Sequence, residues 1–223
     1  MPRTARALVA GGHYHLINRG NNRSTVFESR GDYDAFVGLM EQAQSRTRLT
    51  LLAVCLMPNH FHLVAAQRCA DDISRWMHWL LTTFSSHHHG LYGSCGRLWQ
   101  GRFKAFPIEQ DDHLLTVMRY VERNALRSGL VQRAEDWEWS SLAWRHRCRG
   151  HLLSTPPVAL PRDWCDRVNS AQTAEELAAL RECVNRQRPF GDQAWVQGAA
   201  AGLGLEFSMR RRGRPPGRRP SGK

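Results

Sequence analysis

Lysine is nearly absent from this chain of 223 residues: Lys104 and Lys223 are its only two, against a total of 31 Lys and Arg. Acidic residues are also few, at 20, so the formal net charge is +11. Guanidinium groups pair bidentately with phosphates, but an arginine bias also follows from a GC-rich genome. The composition therefore permits a nucleic-acid partner without proving one.

Long hydrophobic runs are missing as well. The longest nearly apolar stretch, residues 49–57, is well short of the roughly 18 to 20 residues that cross a bilayer. Residues 7–10 are too few for the hydrophobic core of a secretion signal. We therefore expect a protein with no membrane partner that stays in the cytoplasm.

Paired cysteines and glycine-rich phosphate loops are the other absences. The six cysteines lie far apart with no C-x-x-C pair, which excludes a zinc knuckle and a thioredoxin motif, and we expect reduced thiols. None of the glycine motifs that cradle nucleotide phosphates occurs. The sequence thus gives no sign of a nucleotide as an energy source.

Short strand and helix patterns alternate along the first part of the chain. Four segments have strand patterns: residues 13–19, 49–57, 60–66 and 98–109. Three helical periods have predicted N-caps at Asp32, at Asp71 or Asp72, and at Asp111. Pro58 and Asn59 form a tight turn between the second and third strands. This order is typical of an α+β fold of the ferredoxin-like kind, a small antiparallel sheet with helices on one face.

Composition divides the chain into three parts. We assign residues 1–150 to the α+β domain, 151–208 to a helical C-terminal appendage, and 209–223 to a tail. Thr173 and Glu176 form a capping box for a helix in the appendage. The tail has seven basic residues, no acidic one and many Gly and Pro, so we expect a flexible, disordered arm.

Histidine pairs separated by one residue are the first candidates for chemistry. On a strand the two side chains share a face, so they can share a metal ion. The chain has three such triplets, at 13–15, 60–62 and 87–89, and the third closes a helix, where the side chains diverge. The pattern favours His60 and His62 but leaves His13 and His15, or a merely polar role, open.

The helix that begins near Asp111 has a polar edge on which Tyr120 and Asn124 lie one turn apart. It also has a row of arginines at every fourth position: Arg119, Arg123 and Arg127. A tyrosine at such a boundary usually packs as an amphipathic side chain, and such an arginine row is usually a solvated face. The residues alone therefore do not establish a catalytic role.

Four motifs occur in order: residues 14–23 (YHLINRGNNR), 57–64 (MPNHFHLV), 98–104 (LWQGRFK) and 119–131 (RYVERNALRSGLV). Together they resemble the single-tyrosine HUH transposases, particularly the branch called REP-associated tyrosine transposases. The resemblance covers roughly residues 8–145, and residues 188–192 (RPFGD) resemble the C-terminal part of that branch. Two departures are Ala125, where proline is common, and residues 85–89 (SSHHH), which replace a more arginine-rich stretch.

The resemblance implies an RRM-like HUH fold and a DNA transposase. It implies that His60 and His62 hold a divalent metal, Mg²⁺ or Mn²⁺, with Asn124 as the third ligand, and that Tyr120 is the nucleophile. The implied activity is metal-dependent cleavage and rejoining of single-stranded DNA at hairpin or palindromic elements, through a 5′-phosphotyrosine intermediate. Such an enzyme is either a transposase or a repeat-processing endonuclease, and the resemblance implies that it is associated with the nucleoid.

DNA binding is predicted for basic and aromatic residues of these motifs and of the tail: Arg19, Arg23, Trp99, Arg102, Lys104, Arg119, Arg123, Arg127, Arg212 and Arg214. Trp99 would stack on an unpaired base, although a place in the core is an equally good interpretation. Residues 212–215 (RGRP) look like an AT-hook core, with an unspecific phosphate-binding arm as the alternative.

Two other functions compete with this interpretation. A domesticated, non-catalytic DNA-binding protein would keep the fold and the charge, but the chain retains all four candidate site residues. A water-using metal hydrolase would need a further acidic ligand, whereas Val64 occupies the next position on the same strand face. A homodimer is compatible with the sequence.

Overall fold

The computed structural model describes residues 8–146 and 150–210, which form four strands, nine α-helices and three short 3-10 helices. The strands are β1 (His13–Arg19), β2 (Thr50–Met57), β3 (His60–Ala66) and β4 (Lys104–Ile108). The first five helices are α1 (Arg30–Arg46), α2 (Asp72–Tyr92), α3 (Asp112–Glu122), α4 (Asn124–Arg127) and α5 (Ser141–His146). The last four are α6 (Trp164–Asn169), α7 (Ala174–Arg186), α8 (Gln193–Gly202) and α9 (Glu206–Met209).

None of the helices described here is both long and apolar enough to cross a membrane. The predicted tail, with Arg212 and Arg214, lies outside the described residues except for its first two positions.

The sheet has the strand order β2-β3-β1-β4, and all neighbouring strands are antiparallel. This confirms the predicted α+β class, and β1, β3 and the two-residue turn lie where the sequence predicts them. β4 is shorter than predicted, because the segment before it makes only a single bridge, from Gly20 to Trp99.

The helices cover both faces of the sheet rather than one, which corrects a detail of the prediction. Leu16, Phe61 and Leu63 share one core with residues of α1 and α2. Cys55 and Val64 face the other way and pack with α3 and with parts of α6 and α7. The sequences of strands that are buried on both faces are nearly continuous apolar runs, and β2 and β3 have this pattern.

Local capping chemistry explains where the long helices begin and end. Ser29, not Asp32, is the N-cap of α1, and Asp32 is its partner three residues later in a capping box. α2 continues to Tyr92 and ends at Gly93, which has a φ of +58°. The predicted capping box at Thr173 is present at the start of α7.

Both edges of the sheet are covered by later parts of the chain. On the β2 side, the Leu56 N–H donates to the Trp139 carbonyl at 2.9 Å. On the β4 side, the Phe190 N–H donates to the Pro107 carbonyl at 2.9 Å. Uncovered strand edges invite pairing with another chain. A second copy therefore does not find a free edge at these positions.

A buried carboxylate on α3 connects it with α5 and α6. Glu122 has no exposed surface; it accepts hydrogen bonds from Ser141 Oγ at 2.5 Å and from Trp164 Nε1 at 2.7 Å. Arg145 Nε lies 3.5 Å from the same carboxylate. Burial raises the pKa of Glu122, while Arg145 and these hydrogen bonds oppose the rise. Residues 151–208 thus share a core and a polar network with α3, and their assignment to a separate appendage stays a prediction.

We expect Glu122→Ala to lower the free energy of unfolding by about 3 to 5 kcal/mol, because it leaves Arg145 and the Trp164 N–H buried without their acceptor. Urea denaturation followed by tryptophan fluorescence measures this change. Asp166→Ala, at an exposed position of α6, is the control and should change stability by less than about 0.5 kcal/mol. Equal, small effects of both substitutions would contradict the role assigned to Glu122.

Candidate active site

His60 and His62 lie on the face of β3 that α3 covers. Their ring centroids are 5.0 Å apart, with the ring planes nearly perpendicular. They line a cleft of about 340 Å³, which we call the tyrosine cleft, whose other polar residues include Tyr120, Asn124, Arg127 and Arg181. Alternation along the strand thus brings the pair to one place, as the motif predicts.

Tyr120 reaches the cleft from the last turn of α3. Its ring centroid is 5.7 Å from that of His62, in an edge-on arrangement. The guanidinium carbon of Arg127 lies 4.7 Å from the centroid of the same ring. The side chain is nearly buried, at 5% exposed. The phenol is therefore held between a cation and an imidazole.

The hydrogen bonds of Asn59 determine which nitrogen of His60 is free. Asn59 Nδ2 donates to the Arg23 carbonyl at 3.1 Å, so its Oδ1 is the atom that meets His60 Nδ1 at 2.6 Å. An amide oxygen only accepts, so His60 carries its proton on Nδ1 and has a bare Nε2. Burial, with the nearby charges of Arg19 and Arg127, lowers the pKa of His60 to about 4.

His62 is more deeply buried than His60, and its partner is another histidine. His62 Nδ1 lies 2.8 Å from His15 Nε2, and the two rings stack at a centroid distance of 4.9 Å. Burial lowers the pKa of His62 well below its usual value, and His15 and His60 add to the effect. Two neutral imidazoles that line the same cleft are suitable ligands for a divalent metal. His13, the other member of the rival pair, does not line this cleft.

Asn124 lies in the cleft, but its amide oxygen already has a partner. Arg127 Nη2 donates to Asn124 Oδ1 at 2.6 Å. Asn124 Nδ2 is buried and makes no hydrogen bond within residues 8–146 and 150–210. A carbonyl oxygen has two lone pairs, so one remains for a cation. The structure therefore fits a ligand set of two imidazoles and one shared amide oxygen.

A separate group of potential metal ligands lies at the other end of α3. One ligand atom from each of Glu109, Asp111 and His113 lies within 4.8 Å of the other two. Asp111 caps α3, accepting from the His113 N–H at 2.8 Å and lying 2.9 Å from its imidazole. These contacts account for the proximity of Asp111 and His113 without an ion.

Two of the predicted DNA-binding arginines have partners inside the protein. Arg119 donates to the carbonyls of Arg167 and Ser170, and Arg123 donates to those of Val168 and Asn169. The last carbonyls of a helix lack partners within that helix, and here the two arginines satisfy those of α6 and the residues after it. Their contribution is thus to hold α6, and we do not propose them as DNA contacts.

Trp99 belongs to the core, which favours the alternative interpretation of this residue. It is only 7% exposed, its ring lies 5.5 Å from that of Phe61, and its Nε1 donates to the Leu81 carbonyl at 3.4 Å. Little of the ring surface is free to contact a base in this position. Trp99 therefore carries no proposal of stacking.

Arg19, Arg102 and Lys104 share a second cleft of about 340 Å³, which we call the arginine cleft. It shares Arg19 and Asn185 with the tyrosine cleft. A third cleft of about 770 Å³ follows α2 and shares Arg102 with the second. Three of the residues predicted to bind DNA, Arg19, Arg102 and Lys104, thus lie along one continuous surface that leads to Tyr120.

Arg181 and Asn185 of α7 are cleft residues that sequence reasoning missed. They line the tyrosine cleft, although α7 lies about 60 residues beyond the tyrosine in the chain. Arg181 is exposed and forms no ion pair in the described part of the chain. No motif marks these residues, because only the packing of α7 brings them to the site.

Comparison with known proteins gives the class of this protein. The family model described as "Transposase IS200 like" matches residues 8–124, just over half of the chain. The chain therefore belongs to the IS200-like transposase family, and the resemblance found in the motifs is confirmed.

One curated protein and one solved structure are similar to this chain. A Haemophilus influenzae protein, provisionally named a REP-associated tyrosine transposase, is 27% identical over 124 residues, which are 51% of this chain and 65% of that protein. The match thus spans slightly less than two thirds of the relative. The solved structure of a REP-associated tyrosine transposase bound to a REP hairpin aligns with a TM-score of 0.53 and 20% identity, covering 78% of this chain and 96% of that one. This similarity confirms the fold.

We expect Arg123→Ala to lower the free energy of unfolding by roughly 1 to 3 kcal/mol, because two carbonyls at the end of α6 lose a charged donor. Chemical denaturation measures the loss. Arg162→Ala, an exposed arginine just before α6, is the matched control and should have almost no effect. If both variants were as stable as the parent chain, Arg123 would be free for another role.

Proposed function

We propose that this protein cleaves and rejoins single-stranded DNA, with Tyr120 as the nucleophile. The observation that carries the proposal is the meeting, in one cleft, of a phenol with two neutral imidazoles and several guanidinium groups. A phosphodiester is anionic and resists attack by a nucleophile, so a site for its cleavage needs positive charge beside the nucleophile. The family is that of transposases, which act on DNA.

His60 and His62 would hold a divalent cation through their Nε2 atoms, with Asn124 Oδ1 as the third ligand. This mixed set of nitrogen and oxygen ligands suits Mn²⁺ and accepts Mg²⁺. When bound, the cation would polarise a non-bridging phosphate oxygen and offset the charge that develops during attack. Asn59 contributes by keeping the proton of His60 on Nδ1.

In this mechanism Arg127 positions Tyr120 and Asn124, and Tyr120 attacks the phosphate. Arg127 lies against the face of the phenol and bonds Asn124, so one guanidinium orients both side chains. The Tyr120 oxygen forms a bond to phosphorus while the bond from phosphorus to the 3′ oxygen breaks. The phenol loses one proton, and the departing 3′ oxygen gains one. The 5′-phosphotyrosine linkage conserves the energy of the broken phosphodiester bond. Attack by a 3′-OH on this linkage therefore reverses the step.

The DNA strand would follow the clefts from α2 past Arg102, Lys104 and Arg19 to Tyr120. These cations provide backbone contacts, which give affinity without sequence information. The solved relative was bound to a REP hairpin, and we propose hairpin or palindromic elements as the substrate here as well. Arg23, Arg212 and Arg214 remain predicted contacts.

The decisive experiment is detection of the covalent intermediate. Hairpin oligonucleotides copied from palindromic repeats of the parent genome are labelled on the 3′ side of the cut, because the fragment on the 5′ side leaves with a free 3′-OH. We expect a denaturant-resistant adduct with Mn²⁺ or Mg²⁺ and none in the presence of a chelator. Tyr120→Phe removes one oxygen and keeps the ring, so the adduct should disappear while DNA affinity persists.

Tyr92→Phe is the matched control, since it removes a phenol oxygen at a distance from the cleft, and its adduct should persist. An adduct that persists in Tyr120→Phe and maps to another tyrosine would show that the nucleophile is wrong. Cleavage without an adduct would favour the hydrolase. Tight DNA binding with no cleavage under any metal would favour a domesticated binding protein.

The path of the strand gives a second prediction. Combined Arg102→Ala and Lys104→Ala should weaken single-stranded DNA binding and reduce the slope of log affinity against log salt by about 0.7 per lost phosphate contact. The control is combined Arg48→Ala and Arg68→Ala, in a cleft at the opposite end of the sheet, which should leave the slope unchanged. Equal slopes for the two double variants would contradict the proposed path.

A further inference from the structure

We propose that His15 is a positioning residue that holds His62 in the tautomer whose Nε2 lone pair faces the tyrosine cleft. The inference rests on the proposed metal site and adds to it a residue outside the H-x-H pair. Its basis is the geometry of two buried rings on neighbouring strands.

His15 lies on β1, diagonally across from His62 on the same face of the sheet: His15 pairs with Val64, and Ile17 pairs with His62. Such diagonal neighbours are within reach of long or aromatic side chains. His15 has no exposed surface, and its other ring neighbours are Phe106, at a centroid distance of 4.8 Å, and Tyr120, edge-on at 6.3 Å. The ring is thus fixed on both sides and cannot turn away from His62 without disturbing the core.

The 2.8 Å contact between His15 Nε2 and His62 Nδ1 requires one proton between the two nitrogens. If His62 Nδ1 donates, its Nε2 is bare and can bind a metal. If His15 Nε2 donates, the single proton of neutral His62 must lie on Nε2, which then cannot bind a metal. The direction of one hydrogen bond therefore decides whether His62 is a ligand.

His15 has no other hydrogen bond that would select its tautomer. Its Nδ1 is buried and lacks a partner among the residues that the structure describes. The arrangement that a metal at His62 Nε2 requires makes His15 Nε2 the acceptor and places the His15 proton on Nδ1, where no other hydrogen bond among the described residues competes with it. His60 has the same arrangement, with its Nδ1 proton on the Asn59 amide oxygen and its Nε2 bare. Both ligands of the proposed site thus donate from Nδ1 to a neighbour that accepts.

Metal affinity without DNA tests this role without relying on turnover. We compare Mn²⁺ binding, by calorimetry or by loss of the free-ion electron paramagnetic resonance signal, in His15→Phe and His15→Gln. Phe keeps a ring but cannot accept, so we expect affinity to fall by about 10- to 100-fold. The Gln side-chain oxygen reaches about as far as His Nε2 and can accept, so we expect affinity within a few-fold of the parent chain. His13→Phe, on the same strand but outside the cleft, should leave affinity unchanged.

Each outcome distinguishes this inference from the proposed site. If His62→Ala loses Mn²⁺ binding and His15→Phe does not, the role of His15 is wrong and the metal site stands. If His15→Phe and His15→Gln lose affinity equally, His15 acts only by packing, and the inference is again wrong. If neither His60→Ala nor His62→Ala changes Mn²⁺ affinity, the metal site itself fails.

A measurement on the parent chain covers the case in which a His15 variant does not fold. Long-range proton–nitrogen correlation spectra of the Mg²⁺-loaded protein report which imidazole nitrogen carries the proton. We expect the Nδ1-protonated form of His62. The Nε2-protonated form of His62 in the loaded protein would overturn the inference.

Discussion

Packing of α3 across the sheet is the contact on which the rest of the structure depends. One side of this helix brings Tyr120 to the histidines of β3. Another buries Glu122, which bonds α5 and α6. Arg119 of this helix and Arg123, which follows its last residue, donate to the carbonyls at the end of α6. A single helix therefore places Tyr120, the proposed nucleophile, and holds the C-terminal segment that contributes Arg181 and Asn185 to the cleft.

Burial of the sheet on both faces explains the chemistry of the site. Removal of water disfavours the charged form of an imidazole, and the pKa values of His15 and His60 fall to about 3 and about 4. The histidines are therefore neutral beside Arg19 and Arg127, whose charges remain available to an anion. Neutral imidazoles next to fixed cations suit the proposed site, which would accept both a metal ion and a phosphate.

The C-terminal segment packs against α3 and the sheet. Trp164 and Leu180 join the core beneath α3, and Phe190 covers the outer edge of β4. Arg181 and Asn185 add polar groups to the cleft. The segment thus does more than extend the chain, since it shields a sheet edge and contributes to the surface that would contact DNA.

Local patterns in the sequence were enough to locate β1, β3, the Pro58–Asn59 turn and the capping box of α7, because each depends on neighbours in the chain. Motif order was enough to select the family and the four candidate site residues. Only the tertiary structure decided the burial of Trp99 and the partners of Arg119 and Arg123. It also decided that helices cover both faces of the sheet. It alone paired His15 with His62 across 47 residues of sequence. Contacts of this kind arise from the packing of distant segments, which a one-dimensional period of two or 3.6 residues does not contain.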